Sequence, residues 1–187
     1  MNDLSHILES IYPLSAISKE ILLSIFKETH HKKGTIILTQ DKTENKFYFI
    51  KKGIVRAYTL SDGDEITFWF GQEQQPILSM KNYVDRKVSY ETIELLEDCI
   101  LYETTISSLT QLYETSIEIA NWGRKLAENE LIKTEERFIA RQIGTATQRY
   151  HLLLQTHPGL INRIQLSYIA SYLGITQVSL SRIRNGK

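Results

Sequence analysis

Between Arg163 and Arg184 the chain reads Arg-Ile-Gln-Leu-Ser-Tyr-Ile-Ala-Ser-Tyr-Leu-Gly-Ile-Thr-Gln-Val-Ser-Leu-Ser-Arg-Ile-Arg, and here residue types and spacing point to a specific chemistry. Two short amphipathic segments meet at Gly174. In the first, Leu166, Ile169, Ala170 and Leu173 share one helical face, and Ala170 is small enough to let a second helix approach. Gly174 can take the positive φ of a sharp turn, Ile175 can plug the space between the helices, and Thr176 can cap the next helix through its hydroxyl. In the second segment Leu180 and Ile183 point inward, leaving Gln177, Val178, Ser181 and Arg182 outward. The spacing predicts a helix-turn-helix, whose second helix enters the DNA major groove with its N-terminal residues at base edges.

Charge agrees with that expectation. Residues 145–187 hold five basic side chains (Arg149, Arg163, Arg182, Arg184 and Lys187) and no Asp or Glu, so the remaining 17 basic and 22 acidic residues of the neutral chain fall before them. A segment of +5 following one of −5 suggests that the C-terminal end meets a polyanion. Other chemistries find little support. The five histidines, His6, His30, His31, His151 and His157, all lie outside the β-rich segment, which argues against a cupin-type metal site there. His30 and His31 are adjacent, cannot share one face, and read as solvated loop residues. Cys99 has no second cysteine with which to bridge or hold a metal and reads as an inert thiol buried in a strand. No phosphate-binding Gly loop and no nucleophile–base set stands in recognisable context, so an enzyme is not expected and neither a cofactor nor a metal is assigned.

The elements that must position the Arg163–Arg184 segment change period twice along the 187 residues. Residues 4–29 read as helical, with Leu4, Ile7, Leu8 and Ile11 at helical spacing, a break at Pro13, and a second segment capped by Ser18 and carrying Ile21, Leu22, Ile25 and Phe26. From Gly34 short β-rich runs follow: Thr35–Leu38, Phe47–Ile50, Ile54–Thr59, Glu65–Phe70, Thr92–Leu96 and Cys99–Glu103. Gly53 and Ser61-Asp62-Gly63-Asp64 punctuate them, and Gln72–Ser89 is irregular with a turn of helix. Strands so spaced predict a compact antiparallel roll. After Thr105 only helical spacing remains. From Ser116 to Arg141, Ala120, Gly123, Ala127, Leu131, Thr134 and Phe138 form one seam beside a stripe of Ile119, Trp122 and Leu126. The seam suits close pairing with a second copy, and Gly144 with Thr145 and Thr147 suits a boundary. No apolar run is long enough to span a bilayer, and the N-terminus lacks a signal-peptide layout, so a cytoplasmic protein without membrane partners is expected.

The resulting expectation is an α+β chain. It places an antiparallel β-roll sensor with N-terminal helices in residues 1–110, a long dimerisation helix in 111–144, and a helix-turn-helix in 145–187. In this order the chain resembles the Crp/Fnr family of cyclic-nucleotide-receptor-like transcription regulators. Lys33–Ile37, Phe47–Arg56 and Asp64–Phe70 look like the opening strands of that family's roll, with Thr147–Tyr150 as the entry to its DNA-binding domain. Ile169–Thr176 followed by Leu180–Arg184 looks like its reader. The resemblance implies a homodimer that binds double-stranded DNA at an inverted repeat, a small-molecule effector, and RNA polymerase as a further partner. It implies base reading by Gln177, Val178 and Arg182, phosphate contacts from Gln165, Ser167 and Arg184, and Thr176, Ser179 and Ser181 at the same surface. The alternative is a signalling module of the same roll that acts through a protein partner instead of DNA.

The sequence also departs from the family. Where cyclic-AMP-binding members carry a Gly-Glu pair for the ribose and an Arg-Ser pair for the phosphate, this chain has Leu78-Ser79 and Ser89-Tyr90. Thr134 falls at a position that touches the base in those members. An effector pocket of Leu78, Ser79, Ser89, Tyr90 and Thr134 without carboxylate or guanidinium is not expected to hold cyclic AMP. Cys99 alone cannot supply the cysteine cluster of the oxygen-sensing members, and only three residues follow Arg184, so the usual C-terminal wing is not expected.

Overall fold

The computed structural model describes residues 4–186; Met1 to Asp3 and Lys187, which enter the N-terminal and charge readings above, lie outside the described residues. Two helices open the chain, α1 (Leu4–Ile11) and α2 (Ala16–Ser24). Pro13 lies in the break between them, and the cap of α2 is Ser15, whose side chain accepts from the Ser18 N–H at 3.3 Å, not Ser18 itself. The helical reading extends too far: residues Lys27–His31 form β1, paired antiparallel with β8 (Cys99–Thr104). His30 and His31 therefore sit on a strand, not a loop, with His31 Nε2 3.0 Å from the Thr29 hydroxyl.

The remaining strands are β2 (Ile36–Leu38), β3 (Phe47–Lys52), β4 (Val55–Ser61), β5 (Asp64–Gly71), β6 (Pro76–Ile77) and β7 (Thr92–Leu95), with α3 (Met80–Asp85) between β6 and β7. They form two four-stranded antiparallel sheets, ordered β1-β8-β3-β6 and β2-β7-β4-β5. Strand β3 shows why the sheets stack. Tyr48 and Ile50 enter a core shared with Val55, Ala57, Ile93, Leu95 and Leu101, while Phe47 and Phe49 face a second core with Leu8, Leu22, Ile119 and Trp122. A strand covered on both faces reads as an uninterrupted apolar run, as Phe47–Ile50 does. Gly53, at φ +121°, lets the β3–β4 turn pass so close to Cys99 that an added Cβ would sit 2.3 Å from its Sγ.

Helices α4 (Ile106–Thr115) and α5 (Ile117–Ile143) follow, capped by the hydroxyls of Thr105 and Ser116. The first half of α5 belongs to the roll: Ile119, Trp122 and Leu126 are buried, and the Trp122 indole donates to the Leu8 carbonyl at 2.9 Å. Gly123 packs there too, since a Cβ would meet Tyr113 at 2.6 Å, so that part of the small-residue seam serves an intrachain contact. Beyond it, Leu131, Ile132, Phe138, Ile139 and Ile143 are exposed on α5. The helix runs ~40 Å at 1.5 Å per residue. Four shorter helices complete the fold: α6 (Ala146–Thr156), α7 (Leu160–Arg163), α8 (Leu166–Leu173) and α9 (Gln177–Arg184). Their core of Tyr150, Leu153, Leu160, Ile169, Ala170, Leu173 and Leu180 is continuous with Ile54, Phe70 and Leu96 of the roll. No helix among the described residues is long and apolar enough to cross a membrane.

Candidate functional site

Helices α8 and α9 meet at the turn the sequence marks. Gly174 adopts φ +66°, and across it the Ile175 N–H donates to the Ala170 carbonyl at 3.0 Å, closing the end of α8. The Thr176 hydroxyl accepts from the Ser179 N–H at 3.1 Å and lies 3.0 Å from the Ser179 hydroxyl, so both side chains are engaged at the start of α9. Leu180 is fully buried and Ile175 and Ile183 pack partly against the same core. Gln177, Val178, Ser181, Arg182 and Arg184 are exposed, and among the described residues no carboxylate forms an ion pair with Arg182 or Arg184. Gln165 holds the N-cap position of α8 without a side-chain cap bond, and Ser167 follows in the first turn. The structure thus gathers the outer face of α9 and the start of α8 on neighbouring elements.

Basic charge is narrower than composition implies. Arg149 donates to the carbonyls of Gly144 at 2.6 Å and Leu173 at 2.8 Å, stapling the entry of α6 to the end of α8. Arg163 is held by Glu73 at 2.9 Å and by Glu97, both on the roll, and these bonds raise its already high pKa further. Glu73 also accepts from the Gly53 N–H at 2.9 Å. Of the four described basic residues in the C-terminal segment, two are spent on internal contacts and two face outward.

A second set of contacts seats α8 on the roll. The Ser171 hydroxyl accepts from the Thr67 N–H at 2.9 Å and donates to the Glu65 carbonyl at 2.8 Å, both on β5. Tyr172 lies 5.3 Å from Phe70, ring to ring. Arg56, on β4, is clasped between the rings of Tyr168 of α8 (3.9 Å) and Tyr58 (4.2 Å) while its guanidinium bonds Glu65 and Glu94. None of these three anchors was visible in the sequence, because each joins residues far apart in the chain.

The residues expected at an effector pocket are only partly brought together. Ser79 caps α3, accepting from the Asn82 N–H, and is buried beside Leu78, which packs against the helical core. Ser89 is buried and donates to the carbonyl of Thr39 at 2.8 Å. Tyr90 is about half exposed, its ring 6.3 Å from Phe68. Thr134 stands apart: it is exposed on α5, with its hydroxyl bonded to the Glu130 carbonyl and Arg137 of the same helix. The residue sequence reasoning missed is Glu91, buried two positions after Ser89 and hydrogen-bonded by Ser79. Burial pushes its carboxyl up from the ordinary 4.5. Cys99 is buried in β8, and burial pushes its thiol up to about 11.

Residues 28–116, which contain the whole two-sheet roll from Glu28 of β1 onward, match the cyclic nucleotide-binding domain family. The chain carries a cyclic nucleotide-binding domain. Solved structures extend the likeness beyond that domain. FixK2 from Bradyrhizobium japonicum aligns at a TM-score of 0.74 with 20% identity over 87% of this chain and 84% of its own. The c-di-GMP responsive global regulator CLP of Xanthomonas campestris aligns at 0.71 with 15% identity over 92% and 91%. A protein of Eubacterium rectale described as a transcriptional regulator of the Crp/Fnr family aligns at 0.71 with 22% identity over 94% and 86%. The fold around the cyclic nucleotide-binding domain is therefore shared with Crp/Fnr-type regulators. A comparison with curated proteins finds no match.

Proposed function

We propose that the chain is a transcriptional regulator of the Crp/Fnr type, in which α8, the Gly174 turn and α9 are a helix-turn-helix that binds double-stranded DNA. The observation that carries this reading is the outer face of α9: Gln177, Val178, Ser181 and Arg182 are exposed, while Leu180 and Ile183 pack inward against α8 and its core. On a major groove Gln177 suits adenine, Arg182 suits guanine, and Val178 offers only apolar contact to a thymine methyl. Gln165, Ser167 and Arg184 take phosphates, with Thr176 and Ser179 shaping the first turn of the reader. The exposed stripe of α5 from Leu131 to Ile143 pairs with a second copy, so the operator is an inverted repeat with half-sites ~34 Å apart. Domains at 1–110, 111–144 and 145–187 then divide sensing, pairing and reading, and the assembly works in the cytoplasm with RNA polymerase as a partner.

The roll, in this reading, senses a small molecule other than cyclic AMP. Ser89 spends its hydroxyl on backbone carbonyls, that of Glu91 at 3.3 Å among them, and the buried Glu91 carboxyl is bonded by the neighbouring pocket residue Ser79. A cyclic phosphate there meets negative charge and no guanidinium, forfeiting about 1.5–3 kcal/mol for each charge-assisted bond it lacks.

The deciding experiment is selected-oligonucleotide binding with two variants. Arg182→Ala weakens specific binding by ~1–3 kcal/mol and relaxes selection at one base pair per half-site. Arg184→Ala weakens all sequences alike and lowers the salt dependence. An unchanged preferred sequence for Arg182→Ala removes α9 as the reader. Light scattering on the same protein gives a dimer mass; a monomer at micromolar concentration overturns the pairing.

A further inference from the structure

Within the segment around α3, Ser79, Asn82, Ser89, Glu91 and Thr92 are all buried polar side chains. Four of them are satisfied. Ser79 accepts from the Asn82 N–H and bonds Glu91; the Asn82 amide donates to the Lys87 carbonyl at 3.1 Å; Ser89 donates to Thr39; and Thr92 accepts from the Gln40 N–H at 3.1 Å. Glu91 is the exception. It is 3% exposed, the Ser79 hydroxyl and the N–H groups of Tyr90 and Glu91 serve its carboxyl, and yet its Oε2 is buried with no hydrogen-bond partner among the described residues. A buried acceptor left unmade is costly, and a carboxylate oxygen more so than a neutral one.

Chemistry narrows what completes it. Among the described residues no Lys, Arg or His forms an ion pair with Glu91; Lys81, exposed on α3, acts on it only through space. An anion is repelled. A metal ion needs more ligands than one carboxylate, and the described residues contain no group of three His, Cys, Asp or Glu that could hold one. A hydrogen-bonding organic cation answers the charge, and the Tyr90 ring next to Glu91 in the chain, with Phe68 beside that ring, favours the same class. Tyr90 adjoins Glu91, close enough for its phenol to feel that carboxylate's charge, and its ring stands 6.3 Å from that of Phe68. Carboxylate and ring faces together are a common means of binding an ammonium group. Tyr90, Lys87 and Val88 are exposed, so the site lies just beneath the surface.

We propose that Glu91, Ser79 and the Phe68–Tyr90 pair form a recognition site for the ammonium end of a small organic amine. The inference rests on the reading of the roll as a sensor and names the effector class that sensor takes. It is tested by calorimetry and thermal unfolding of the full chain with butylamine and 1,4-diaminobutane, using 1-butanol and cyclic AMP as comparators. The amines bind saturably and, at a hundredfold excess over Kd, raise Tm by roughly 5–10 °C. Butanol and cyclic AMP leave it unchanged. Glu91→Gln abolishes the amine effect, and Tyr90→Leu, which keeps the carboxylate, weakens amine binding about 2- to 5-fold. No saturable amine binding, equal binding of butanol, or full amine binding by Glu91→Gln overturns the proposal; should Glu91→Gln not fold, undiminished binding by Tyr90→Leu does so. Operator selection through Arg182 is scored separately. Intact selection without amine binding rejects the amine site alone, and amine binding without DNA selection upholds the site while rejecting the regulator.

Discussion

Replacing Arg56 by Met severs a buried polar link between the roll and α8. The guanidinium is 4% exposed, and its partners Glu94 and Glu65 are 17% and 46% exposed. Removing one member of a buried pair costs about 3–5 kcal/mol because the other charge is stranded. Glu65 turns to solvent once released, so its share is discounted, whereas Glu94 is largely buried. The Met side chain keeps apolar contact with Tyr58 and Tyr168 but loses the attraction of a cation for their ring faces, worth about 0.5–2 kcal/mol. The expected loss is ~3 kcal/mol, or roughly 6–12 °C in Tm for a chain of this length. Urea unfolding followed by tryptophan fluorescence measures it. A double-mutant cycle with Tyr168→Leu then isolates the link to α8, with an expected coupling of ~1 kcal/mol. Additivity within about 0.5 kcal/mol, or a single-variant loss below about 1 kcal/mol, refutes the argument that this contact seats α8.

Two more expectations follow from titrating and reactive groups. Cys99 resists alkylation at neutral pH in the native chain and reacts on unfolding, since its thiol sits at about 11 and is buried; mass spectrometry after iodoacetamide checks this. Burial raises the Glu73 carboxyl, but Arg163 and the Gly53 N–H outweigh it and hold it below 4.5, so its stabilisation is present above pH 4.5 and is lost as pH falls through the folded value. Glu91 has the opposite sign: raised above 4.5 by burial, its favourable share is present below pH 4.5 and fades as pH rises through the folded value. Calorimetry from about pH 3 to 7 therefore shows Arg163→Gln flattening the acid limb and Glu91→Gln flattening the loss at higher pH.

The sequence is most legible where one local pattern decides the outcome. Gly174 and Thr176 specify a turn and a cap from their own chemistry, and Phe47–Ile50 announces a strand covered on both faces. Strand β1 escapes notice because Lys27-Glu-Thr-His-His31 is a polar edge segment whose conformation comes from its pairing with β8, seventy residues away in the chain. Ser18 looks as good a cap as Ser15; the choice falls to Ser15, whose N–H and hydroxyl also bond Glu118 at 2.6 and 2.7 Å. The basic C-terminal segment reads as uniformly available because nothing local reveals that Glu73 and Glu97 absorb Arg163. Glu91 is hidden for a related reason: an acid beside a strand is ordinarily turned outward, and nothing local reveals that it is buried and bonded by the Ser79 hydroxyl.

Strand β5 ends its sheet, with β4 on one side and, among the described residues, no further strand on the other. A bare strand edge is a template on which another chain can extend, and it is a common start of irreversible clumping. Ser171 occupies that edge as a stand-in strand would, taking the Thr67 N–H and giving to the Glu65 carbonyl. Shortening the chain before α8 would uncover this stretch together with Phe70, so the C-terminal helices also guard the solubility of the roll they sit on.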